Sequence, residues 1–96
     1  GVTKAIDQKP HKVRFWVDAL NAPYVETKPI HKSQVLIEKR EDKSMVFEIE
    51  VILNWELQRE LLGFGDFIKV LSPPSLAGFI KSRLKKAYDL YTDDIC

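Results

Sequence analysis

Gly63, Gly65 and the run Ser72-Pro73-Pro74 punctuate the stretch from Asn54 to Leu84 so closely that only one order of elements fits it: helix, stop, strand, restart, helix. Leu57, Leu61 and Leu62 fall on one side of a helical period, and the two glycines end that helix by offering positions where a positive φ costs nothing. Phe67 to Leu71 is short, apolar and bounded by glycine and proline, which predicts a buried strand. Ser72 is the expected cap of the next helix, and Pro73 and Pro74 belong to its first turn, where an amide hydrogen has no partner to lose. From there Leu76, Phe79, Ile80, Leu84, Ala87, Tyr88 and Tyr91 recur at helical spacing as one continuous apolar stripe.

The chain before this stretch is strand-rich. Residues 1–11 have no period and few bulky apolar groups, and are expected to be a linker or arm from an upstream domain; residues 12–96 are expected to form one α+β domain. The opening at Gly1, without an initiator methionine, suggests a piece of a longer protein. From Lys12 the sequence alternates, with Val13, Phe15 and Val17 on one face and Arg14, Trp16 and Asp18 on the other. A short helix follows over Leu20 to Val25, with Asn21 as its cap and Pro23 early in the turn, ending near Thr27 to Pro29. Ser33 to Arg40 and Ser44 to Leu53 then form a hairpin around Glu41-Asp42-Lys43. Met45, Phe47, Ile49, Val51 and Leu53 share the core face of its second strand, while Glu48 and Glu50 hold the other. Asn54 closes that strand and caps the helix after it.

Strand, short helix, two strands, helix, strand, helix is most simply solved by an antiparallel sheet with helices on one face, because each element has one apolar side to bury. The order βαββαβ suggests a ferredoxin-like sandwich with an added C-terminal helix. Phe47, Ile49, Val51, Leu61, Phe79 and Ile80 are expected in its core, and a second apolar face is expected around Trp16, Val46 and Ile52.

Charge narrows the function. The net charge of +1 comes from 15 basic and 14 acidic residues, so the chain lacks the strongly basic balance of an independent nucleic-acid binder. No stretch approaches the ~20 consecutive apolar residues of a membrane span. The single cysteine, Cys96, cannot form an intramolecular disulfide, and a reducing, cytoplasmic setting is expected.

Catalytic and metal chemistry finds little support. His11 and His31 are far apart with no cysteine near either, which is not a zinc-ligand spacing. Gly63-Phe64-Gly65 follows a helix and leads into a strand, the reverse of a dinucleotide-binding glycine loop. Glu48 and Glu50 fit alternating solvent-facing carboxylates better than an acid/base pair, and the sequence places no histidine beside Ser33 or Ser75. No catalytic residue, cofactor or metal is therefore expected. The candidate contact residues are Tyr24, His31, Ser33 and Gln34 at the entry to a strand, and Lys81, Arg83, Lys85 and Lys86 on the last helix. Turn hydrogen bonds and a solvated helix face are the commoner roles for such groups; an interdomain or ligand contact is the functional one.

The order and spacing of several of these residues carry a resemblance. Tyr24-Val25-Glu26, Pro29, His31 with Ser33-Gln34, Glu56-Leu57, Leu61-Leu62 with Gly63-Phe64-Gly65, Val70-Leu71 and Pro73, taken together over nearly the whole chain, resemble the C-terminal extension of bacterial WYL-domain transcriptional regulators, the WCX domain. The match departs at Glu60, where many relatives carry an aromatic residue, and at the hairpin turn, which lacks an Asp-Gly pair. The resemblance implies a regulatory and oligomerisation module, in a polypeptide whose helix-turn-helix and WYL domains come first and whose DNA binding lies in the former. It also implies a homodimer in the full-length protein, with the extension contacting the sensing domain or the partner subunit, and nucleic acids or nucleotides as effectors. The alternatives are a free-standing nucleic-acid-binding domain using exposed sheet aromatics and a small ferredoxin-like enzyme.

Overall fold

A computed structural model describes residues 9–92, so most of the arm assigned to 1–11 and the terminal Cys96 lie outside the described residues. The elements are β1 (His11–Val17), α1 (Ala22–Thr27), β2 (Val35–Lys39), β3 (Met45–Val51), α2 (Trp55–Gly63), a single 3₁₀ turn (Gly65–Phe67), β4 (Ile68–Ser72) and α3 (Pro74–Thr92). β1 begins at His11, one residue earlier than expected. The four strands form one antiparallel sheet in the order β2-β3-β1-β4.

The alternation read from β1 and β3 sets the register. Phe15 lies opposite Phe47, and Val13 opposite Ile49, so two rows of apolar side chains meet on one face. The Phe15 and Phe47 rings are 5.7 Å apart in a tilted arrangement, within the range in which aromatic pairs attract. Ala22 and Val25 of α1, Leu57 and Leu61 of α2, and Leu76 and Ile80 of α3 bury against this face. The opposite face is only partly dry. Val46 is buried there, directly opposite the half-buried Trp16, while Arg14 and Glu48 form an ion pair at 2.9 Å. Ile52, expected beside Trp16 and Val46, lies beyond the end of β3.

Several local expectations need correction. Asn21 occupies the cap position of α1 but makes no capping bond; its backbone N–H and side-chain amide both donate to Asp18 Oδ1, at 3.0 and 2.9 Å. The Asp18 carboxylate fixes the Asn21 side chain through its amide nitrogen, and the carboxamide oxygen takes no helix amide. Asn54 does cap α2, accepting from the Leu57 N–H at 2.9 Å. Ser72 is not a cap: it is the last residue of β4, and the Pro73 carbonyl accepts from the Leu76 and Ala77 amides instead. The apolar run read as a buried strand is an edge strand, in which Val70 is buried but Leu71 is 39% exposed, because alternation turns Leu71 away from the face that the helices cover. Gly65 has φ +66°, as its stop role requires.

The largest difference concerns α3. Its apolar stripe is continuous in sequence, but the body covers it only as far as Ile80. Phe79 is partly buried, not fully as expected, while Leu84, Tyr88 and Tyr91 are 40%, 68% and 77% exposed.

Candidate docking site

The loop between α1 and β2 draws three of the expected residues together. Gln34 uses both ends of its amide: Oε1 accepts from the Ile30 N–H at 2.9 Å and Nε2 donates to the Val25 carbonyl at 3.0 Å. Its own N–H donates to the His31 carbonyl at 3.0 Å. The side chain thus ties the end of α1 to the loop that follows. Ser33 works differently. The β2–β3 register places it opposite Glu50, just beyond the last ladder pair, and its hydroxyl replaces the missing main-chain partner. Ser33 Oγ accepts from the Glu50 N–H at 2.8 Å and lies 3.3 Å from the Glu50 carbonyl. Contrary to the sequence expectation, a histidine does stand beside Ser33: His31 Nδ1 accepts from the Ser33 N–H at 3.1 Å and sits 2.8 Å from Ser33 Oγ. A backbone amide can only donate, so Nδ1 is the unprotonated nitrogen and the proton of the neutral ring is on Nε2.

Tyr24 stands apart from this cluster. Its ring is 60% exposed on α1 with the Lys28 ammonium 5.8 Å from its centre, at the outer range of a cation–π contact.

The four cations of α3 do not form one patch. At about 100° of helix rotation per residue, Lys81 and Lys85 share one flank and Arg83 lies on the opposite one, with Lys86 between them on the outer side. Arg83 is engaged within the fold: its guanidinium lies 5.5 Å from the Trp55 ring and 5.8 Å from the Phe79 ring. Lys85 pairs with Asp89 at 3.1 Å. Lys81 and Lys85 adjoin Leu84 and Tyr88, giving a mixed cationic and apolar face that is exposed throughout.

A groove that the sequence reading missed lies beside the His31 loop. Pro10, Ile30, Val51, Ile52 and Leu57 form its apolar lining, and Glu50, Glu56, Glu60, His31 and Asn54 its polar one, around about 430 Å³. No lysine or arginine is among the described residues that line it. Glu56 and Glu60 were legible as one helix face at i,i+4, but their approach to Glu50 depends on the turn after β3. Among the described residues no group of histidine, cysteine, aspartate and glutamate could hold a metal ion. No helix there is long and apolar enough to cross a membrane.

The family model of the WCX domain matches residues 9–88. The chain belongs to the WCX domain family. The WCX domain is a non-catalytic regulatory module, and the match spans every strand, α1, α2 and most of α3. The exposed stripe of α3 lies inside the WCX match as far as Tyr88. No curated protein matches the chain.

Proposed function

We propose that this WCX domain is a docking component of a bacterial WYL-type transcriptional regulator, positioning the sensing domain or partner subunit through the Tyr24–Gln34 segment and the basic side of α3. The observation that carries this reading is the abrupt change along α3. Its apolar stripe leaves the core after Ile80 yet continues through Leu84, Tyr88 and Tyr91 with lysines beside it. A helix of this length gains most of its stability in proteins from burying an apolar face, so an uncovered stripe is accounted for by a partner surface. Gln34, Ser33 and His31 brace the loop that follows α1, and Tyr24 is exposed on α1 itself, which suits a contact surface better than a reacting site.

The finer parts of the proposal follow from the same reading. The module acts in the cytoplasm of a dimeric regulator whose DNA contact lies in a helix-turn-helix domain and whose effector is a nucleic acid or nucleotide. The scaffold is read as ferredoxin-like: β1 and β2 run parallel with β3 between them, and β3 and β4 run parallel with β1 between them, the pattern of two split βαβ units. A net charge of +1 supports weak DNA binding at most, since few phosphate counterions would be released.

The test is a salt titration of single- and double-stranded oligonucleotide binding by the isolated chain, paired with charge reversal at Lys81, Arg83, Lys85 and Lys86 in the full-length regulator. Weak, salt-sensitive binding alone together with lost regulation after reversal is the expected result. Sub-micromolar, sequence-selective binding near physiological salt would establish a free-standing nucleic-acid binder instead.

A further inference from the structure

The acid-lined groove and the bare face of α3 are complementary, and both belong to this chain. The groove offers an apolar floor of Ile30, Val51, Ile52 and Leu57 under Glu50, Glu56 and Glu60. The helix offers Leu84 and Tyr88, 40% and 68% exposed, with the exposed Lys81 and Lys85 beside them. We propose that the Leu84–Tyr88 face of α3, with Lys81 and Lys85, docks in the acid-lined groove of a second copy of this chain. The inference rests on reading the distal part of α3 as a docking helix and names its receptor.

Two other pairings are disfavoured by the geometry. Within one copy, α3 is held on the flank of α2 that carries Trp55, through the stacking of Arg83. Glu56 and Glu60 sit about 100° and 140° around α2 from Trp55, so the groove and α3 lie on different sides of α2. The helix cannot fold back into its own groove without leaving the core at Leu76 and Ile80. An antiparallel α3–α3 pair would bring Lys81 and Lys85 of both copies to the same side of the apolar stripe, a like-charge arrangement that disfavours that pair. The groove supplies the opposite charge beside an apolar contact, which directs encounter and fixes orientation.

The experiment is sedimentation velocity of the 96-residue chain over a range of protein and salt concentrations, with two charge-reversed variants. Glu56→Lys/Glu60→Lys changes the groove and Lys81→Glu/Lys85→Glu changes the helix; all four positions are exposed, and circular dichroism checks that the fold is kept. Where a reversal lowers helix content, Glu56→Gln/Glu60→Gln removes the groove charge with less disturbance. The expected result is concentration-dependent association of the wild type that weakens with salt, at least tenfold weaker association in each variant alone, and recovered association when the two variants are mixed. A monomeric wild type at high micromolar concentration overturns the proposal. So does association that survives either reversal, or a mixture that stays monomeric. If the wild type is monomeric while helix reversal still abolishes regulation in the full-length protein, α3 docks elsewhere; the reading of the helix then stands and this receptor for it falls.

Discussion

The two halves of α3 carry the same apolar repeat but have opposite surroundings. Leu76 and Ile80 are 3% and 7% exposed against the sheet, whereas Leu84 and Tyr88, the next steps of the stripe, are 40% and 68% exposed. What differs is the supply of facing surface: the body that covers Leu76 and Ile80 leaves Tyr88 and Tyr91 bare. A periodic stripe therefore reports that a helix face will be covered, without saying whether the covering surface belongs to the same fold. The segment before β2 repeats the contrast on a smaller scale. Gln34 is bonded at every polar group the structure gives a partner, while Tyr24, ten positions earlier, presents its ring to solvent.

Substitutions in matched covered and bare positions sharpen this contrast. The largest effect is expected from Ile80→Ala, which should destabilise the chain by about 2–5 kcal/mol through lost burial and a residual cavity, against under about 0.5 kcal/mol for Tyr88→Ala, both read by urea denaturation. Equal losses at the two positions would erase the distinction between the halves. Gln34→Ala should cost about 1–3 kcal/mol, because the Ile30 amide and Val25 carbonyl lose their partner in a half-buried loop, while Tyr24→Ala should leave the unfolding midpoint nearly unchanged. Gly65→Ala should cost about 1 kcal/mol from the positive φ alone, since an added Cβ at that position meets no atom within 4 Å; an unchanged melting temperature would show that the turn relaxes.

The smallest effect concerns pH. Hydrogen bonds from the Ser44 hydroxyl, and then from the Ser44 N–H, hold the Asp42 carboxyl below the usual carboxylate range. The folded value is the lower one, so the stabilisation is present above the unfolded value of 3.8 and is lost as pH falls through the folded value. Wild type and Asp42→Asn should therefore differ slightly at neutral pH and converge in acid. A gap that widened on acidification would reverse the assignment.

The sequence carried most of the fold because its signals were local and mutually consistent. Alternation in β1 and β3 set their core faces, Asn54 set the start of α2, and Gly65 set its end. Where it misled, the deciding partner was distant or competing. Asp18 took the amides of Asn21, alternation turned Leu71 away from the helices, and the body left the distal part of α3 uncovered. The candidate site was legible in part. His31, Ser33 and Gln34 were identified as a cluster, but their roles, including the Ser33 hydroxyl standing in for a ladder partner of Glu50, needed the register. The groove joins Glu50 to Glu56 and Glu60 through a tertiary turn that no spacing rule encodes.

The central claim, that the stripe of α3 serves the core up to Ile80 and a partner beyond it, is tested most directly by thermal unfolding of the triple variant Leu84→Ala/Tyr88→Ala/Tyr91→Ala. Alanine has the higher helix propensity, so a face that adds nothing to the core predicts a melting temperature equal to or slightly above the wild type. A fall of more than about 5 °C, corresponding to roughly 1 kcal/mol for a domain this size, would show that these residues belong to the core and contradict the account.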